Sequence, residues 1–300
     1  MNNLQEISLQ NQQDFWSVLY MNLGESIMKI CGRHGEYVIR KALGTIAETE
    51  GEMYREVCLA QGKKTNMHTL YAMGCGCSQD PRMNTAVRTD NEQVRLWEVY
   101  TCPMATLWLD HGAAYVANMY CEENQPGLIK AFTGGKGQFH VSKKLTCHRT
   151  NGCRPDNYCR FAAYYRPANV PDEKQREESF TDGEPAAEEI AKPESARDML
   201  TRRSILLLKE LTKEAEAVFG TEGLNAVALG LRATVAPAEA MIRHYAEMTL
   251  NTDLAAFAKN NLPLDLGEDQ ETQWEKYGSK EAKKLFVRSF AGPLKASLGI

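Results

Sequence analysis

Apolar residues recur at helical spacing over the first thirty positions. Phe15, Leu19, Leu23, Ile27 and Ile30 would lie along one face of a helix spanning 14–31. A second helical pattern covers 35–61, with Gly44 as its weak point. Met67 to Met73 reads as a short helix leading into Gly74-Cys75-Gly76-Cys77. The period then changes. Val94 to Thr101 is short and rich in β-branched and aromatic residues, the signature of a strand. After Pro103 an apolar helix is expected over 104–122. The Gly134-Gly135-Lys136-Gly137 turn follows, and two further strands at Phe139–Thr146 and Tyr158–Tyr165. Two or three antiparallel strands with helices on one face make an α+β layer.

Composition changes the picture between 166 and 198. From Asp172 to Asp198 ten acids face four bases, with Gly183, Pro185 and Pro193 among them, which predicts a solvated acidic linker. Helical periodicity returns over 199–260, with Ser195 and Asp198 as a capping pair and Pro237 expected to kink or split the second helix. The organisation expected is an α+β domain over 1–165, the linker, and a helical region over 199–300. Two turns look alike: Cys31-Gly32-Arg33-His34-Gly35 and Phe219-Gly220-Thr221-Glu222-Gly223. Arg55 and Arg243 follow at the same offset, and Trp274 to Leu285 could echo the stretch from Trp97. The helical region is thus either a degenerate repeat of the first helices or an unrelated hairpin with a similar turn.

The net charge is −4 and there is no basic block, so nucleic acid is not an expected partner. The N-terminal stretch lacks a signal pattern, and no apolar run approaches membrane-spanning length. A soluble, cytoplasmic protein with reduced thiols is expected.

Nine cysteines then become the chemistry to explain. Cys31 and Cys58 sit among apolar helical residues and read as small buried hydrophobes. The other seven fall between 75 and 159. Cys102 follows a strand and Cys121 ends the 104–122 helix. On that helix His111 and Asn118 are seven apart and would share a face. A cysteine with a histidine base can act as a nucleophile, so Cys121 or Cys102, His111 and an orienting Asp110 or Asp156 are the catalytic candidates. The alternative for His111 is a surface or core histidine. Cys147, His148, Cys153 and Cys159 offer thiolate and imidazole suited to zinc or iron, with reduced pocket-lining cysteines as the other reading. Arg82 and Arg88 could hold a carboxylate. The glycine run at 134–137 lacks the full phosphate-loop pattern and reads as a turn.

Three pieces occur in one order: Val99-Tyr100-Thr101-Cys102 followed by Ala105; Met119-Tyr120-Cys121 followed by Ala131-Phe132; and Tyr158-Cys159-Arg160-Phe161, preceded by Leu145-Thr146. Over about residues 30–165 this series resembles the L-2-amino-thiazoline-4-carboxylic acid hydrolase family. The resemblance implies hydrolytic opening of a cyclic amidine-type C–N bond, with Cys102, Cys121 and Cys159 matching family cysteines. Two positions depart from the pattern. Asn124 stands where the family has an aspartate, and Arg160 replaces the acid of Cys-Asp-Phe, which favours an anionic ligand and removes a possible general base. Asn118, Asn124, Arg160 and Arg82 are therefore the substrate-binding candidates. The competing function is a non-catalytic module that binds a small molecule or a metal in the same cysteine-rich pocket. A homodimer through the apolar C-terminal helices is the expected assembly.

Overall fold

A computed structural model describes residues 3–74, 79–144, 158–181, 190–267 and 270–300. The fold is α+β, a small antiparallel sheet packed by helices followed by a helical C-terminal region. Two compact units divide the chain: one of 1–42, 103–117 and 196–300, the other of 43–102 and 118–195.

The first unit is helical. Helix α1 (Asn3–Cys31) carries the expected apolar stripe, and Phe15, Leu19, Leu23 and Ile27 are fully buried. It packs with α4 (Pro103–Asp110), α7 (Ala196–Phe219) and α8 (Thr221–Met248). Two of its aromatic groups use their polar ends. The Trp108 indole N–H donates to the Ser17 carbonyl (2.9 Å), and the Tyr20 hydroxyl donates to that of Val116 (2.7 Å). Burying each such side chain stabilises the fold by about 1.5–3 kcal/mol. Short helices α9 (Leu254–Asn261), α10 (Glu271–Tyr277), α11 (Lys280–Phe286) and α12 (Gly292–Leu298) complete the unit, with one π-helical turn at Val287–Ala291. Helix α8 is not split at Pro237. The residue whose carbonyl loses its partner there, Ala233, is exposed, so water can take that hydrogen bond.

The second unit holds the sheet. Its strands are β1 (Asn84–Asp90), β2 (Val94–Thr101), β3 (Gln138–Lys143) and β4 (Cys159–Tyr164), in the antiparallel order β1-β2-β4-β3. Strand β1 has a mixed, largely polar sequence and was not among the expected strands. Alternation sends Trp97, Val99, Cys159, Phe161 and Phe139 toward one face and Glu98, Tyr100 and Arg160 toward the other. The first face is the core. Trp97 stacks on Phe161 (centroids 5.2 Å) and meets Tyr71 (5.0 Å) and Phe139 (6.1 Å). Tyr71 lies on α3 (Met67–Ala72), whose N-cap Asn66 accepts from the Thr69 amide. Part of α2 (His34–Ala60) crosses α5 (Ala114–Phe132) closely in this unit. A Cβ built on Gly51 would lie 2.4 Å from the Leu128 carbonyl, and one on Gly127 would lie 2.8 Å from the Ala47 Cβ.

Part of the acidic stretch is helical. Residues 173–179 form α6 (Glu173–Ser179), capped by Asp172, and buried Ser179 bonds both Thr65 and Tyr165 (2.9 Å each). These partners are neutral, and Thr65 comes from a distant part of the chain, so a local count of charge does not register them. Residues 182–189 lie outside the described part. Among the described residues no helix is long and apolar enough to cross a membrane.

Candidate functional site

The sheet, α3 and α5 bring three cysteines toward one end of the core face. Cys159 opens β4 opposite Val99, and it is buried in the cluster that holds Trp97 and Val99. Cys102 follows the last residue of β2 and packs half-buried against the same cluster. Cys121 lies on α5. One turn on, the Gln125 side chain accepts from the Tyr71 hydroxyl (3.0 Å), which turns this face of α5 toward α3 and Trp97. Lys144, just past β3, pairs with Glu122 beside Cys121.

The electrostatics agree with this placement. The Cys121 thiol is held well above its ordinary value, first by desolvation, then by the neighbouring Cys159 and Cys102, against the opposing pull of Lys144. At neutral pH it is therefore a thiol, not a thiolate. Such a group is a soft, polarisable surface and a weak hydrogen-bond donor. Among the described residues no group of three His, Cys, Asp or Glu side chains could hold a metal ion. Cys159 and Cys102 act electrostatically on Cys121, and the three are not a metal-ligand set.

The other described catalytic candidates, His111 and Asp110, lie on other elements. The expected 104–122 helix is two helices, broken at Gly112 (φ +74°). The Ala113 amide bonds the Trp108 carbonyl (2.8 Å) across this left-handed turn, the usual closure of a helix on glycine. His111 and Asn118 thus lie on different elements and share no face. His111 sits exposed in the turn, its Nδ1 2.9 Å from the Leu107 carbonyl. Asp110 is exposed at the end of α4. Both belong to the helical unit, whereas Cys102 and Cys121 belong to the sheet unit.

Of the proposed substrate contacts, Asn124 is buried on α5 and Asn118 half-buried. Arg82 is engaged by buried Asp80, its Nε lying 3.0 Å and 3.1 Å from the two carboxylate oxygens. Arg160 turns away from the core face and donates to Glu98 (2.8 Å), as Arg88 does to the other oxygen (2.7 Å). Tyr100 donates to Glu98 as well (2.6 Å), and Arg160 lies over the Tyr158 ring (5.3 Å). The Tyr100 hydroxyl, Arg88 and Arg160, in that order, hold the Glu98 carboxyl at about 2, far below its ordinary value. This cluster on the outer face was missed in the sequence. Its signal was the alternation in β2, which sets Glu98 opposite Arg160, an opposite-charge cross-strand pair.

Of the residues read as zinc or iron ligands, Cys147, His148 and Cys153 lie outside the described residues, as do Cys75, Cys77 and Asp156. Cys159 is described and faces the core. The glycine run is a turn, with Gly134 and Gly135 at positive φ and the Gly137 amide bonded to the Thr133 hydroxyl (2.7 Å). Cys58 is fully buried as expected, and burial pushes its thiol up to about 11. Cys31 is only half-buried at the end of α1. The five described cysteines are not joined to one another by disulfides.

The class that fold and site define is an α+β protein with a cluster of three reduced thiols at one end of a four-stranded sheet. No family model, no curated protein and no solved structure matches the chain.

Proposed function

We propose that the sheet-bearing unit is a binding module for a small planar molecule, received at the thiol end of the core face, and that Cys121 is a contact residue rather than a nucleophile. The observation that carries this reading is the state of Cys121. Desolvation and two neighbouring sulfurs keep it protonated, whereas a nucleophilic cysteine needs a lowered pKa or an adjacent base. The histidine that would serve as base is exposed and sits beside the Leu107 carbonyl. Stacked aromatic rings next to Cys159 favour a flat ligand, because protonated thiols and ring faces offer dispersion rather than charge. The hydrolase-like motif order is compatible with a site that keeps the position of its cysteines without hydrolytic chemistry.

The test follows alkylation of each cysteine by peptide mass spectrometry on the folded full chain, with and without a panel of planar heterocycles. Cys121 should react slowly near neutral pH and accelerate only in strong alkali, and a bound heterocycle should slow Cys102 and Cys121 together. In parallel, cyclic amidines, hydantoins and lactams should show no turnover. Turnover that disappears in Cys121→Ala would sink the proposal in favour of a hydrolase. Stoichiometric zinc or iron lost on Cys159→Ser would replace it with a metal site.

A further inference from the structure

The two similar turns are alike in three dimensions. Gly32 lies in the α1–α2 turn at φ +60° and Gly220 in the α7–α8 turn at φ +57°. Three residues on, each hairpin has a second glycine packed on its own first helix. A Cβ on Gly35 would lie 2.9 Å from the Ile27 carbonyl, and one on Gly223 would lie 2.1 Å from that of Ala215. All three positions, both glycines and the carbonyl, are displaced by the same 188 residues. The displacement also carries core onto core. Leu19, Leu23, Ile39 and Leu43 correspond to Leu207, Leu211, Val227 and Leu231, and all eight are buried.

The helices also pair crosswise in the same register. Helix α1 meets α8 where a Cβ on Gly230 would lie 2.7 Å from the Leu23 Cα, and Asn22 donates to Thr234 (3.3 Å). Helix α2 meets α7 at Lys41 and Glu214 (3.1 Å). Under the displacement, the mates of Lys41 and Glu214 are Leu229 and Ser26. These are the neighbour of Gly230 on α8 and a position one turn beyond Leu23 on α1. One pairing register therefore serves both pairs, as it would across the two-fold axis of a dimer.

The likeness stops at the hairpins. Arg55 bonds the Phe132 carbonyl and Glu178, whereas Arg243 bonds Glu239 and the Ser297 carbonyl. Trp97 is on a strand and Trp274 on a helix. Among the described residues after α8 there is no strand.

We propose that α7–α8 is a second copy of the α1–α2 hairpin, acting in cis as the partner that a second chain would otherwise supply. The surface that would pair two copies of this chain through their helices is filled from within, so the expected homodimer does not form there. The second copy has kept the pairing surface, and no strand follows it among the described residues.

Zero-length carbodiimide coupling of the folded full chain tests this at Lys41 and Glu214. The coupled peptide is expected in the single-chain band of a denaturing gel, and sedimentation should give 33.6 kDa. A coupled peptide confined to the double-chain band, or found in neither band, overturns the proposal. So does a dimer that dissociates on Gly230→Leu. Gly35→Ala and Gly223→Ala serve as a paired control. Both should lower the urea midpoint, and tolerance of one with loss of the other would mean that the turns are not copies.

Discussion

Replacing Gly51 by alanine sets two well-known effects against each other. In an exposed helix the change would stabilise by about 1 kcal/mol, because glycine has the greater backbone freedom to lose. Here the new methyl carbon would lie 2.4 Å from the Leu128 carbonyl oxygen, 2.8 Å from the Ala131 Cβ and 3.0 Å from the Phe132 amide nitrogen. Carbon and oxygen in van der Waals contact sit roughly 1 Å farther apart than the first of these. Two of the three contacts are backbone, so no side chain can swing away and α5 itself must move. Gly127 already rests against Ala47 and the Gly44 carbonyl, which limits sliding as a way out. Overpacking of this kind costs about 1–3 kcal/mol, toward the upper end where backbone must shift. The net expectation is destabilisation by about 1–2 kcal/mol after the helical gain is subtracted. Moving α5 would also strain the Gln125–Tyr71 hydrogen bond and loosen the surroundings of Cys121. Urea unfolding followed by circular dichroism measures the first effect, and alkylation of Cys121 in the folded protein measures the second. A midpoint unchanged or raised, with Cys121 equally protected, would refute the close crossing of α2 and α5.

Two further expectations concern pH. The folded Glu98 carboxyl titrates at about 2, below its unfolded value, so its contribution is present above the unfolded pKa and is lost as pH falls from about 4.5 toward 2. Glu98→Gln should therefore flatten the acid limb of the stability curve in that window, and an unchanged acid limb would argue against the Arg88–Glu98–Arg160 cluster. Cys58 shows the opposite sign: its thiol is raised to about 11, so its contribution is intact below about 9 and fades as pH rises through 11. Cys58→Val should lessen the loss of stability over that alkaline range, and native Cys58 should resist iodoacetamide until the protein is unfolded.

Patterned segments were legible in the sequence and their partners were not. The stripe Phe15–Leu19–Leu23–Ile27 specified α1, and the alternation from Val94 to Thr101 specified β2, because periodicity is a local property of one element. Strand β1 carries little apolar alternation of its own, and its pairing with β2 makes it a strand. The break at Gly112 separated His111 from Asn118, because a left-handed glycine closure ended a pattern that periodicity alone would have continued.

The sequence by itself determined the fold class and marked the two matching turns at Gly32 and Gly220, while Cys102, Cys121 and Cys159 were singled out only through a resemblance. Only the tertiary structure decided that these thiols share one end of a sheet core, where burial and the neighbouring cysteines raise the Cys121 thiol. It likewise decided that Arg160 answers Glu98 on the outer face, and that the two hairpins cross in one register. Desolvation, cross-strand pairing and helix crossing depend on residues far apart in the chain. Spacing along a sequence records which side chains an element can present, and packing alone settles what they meet.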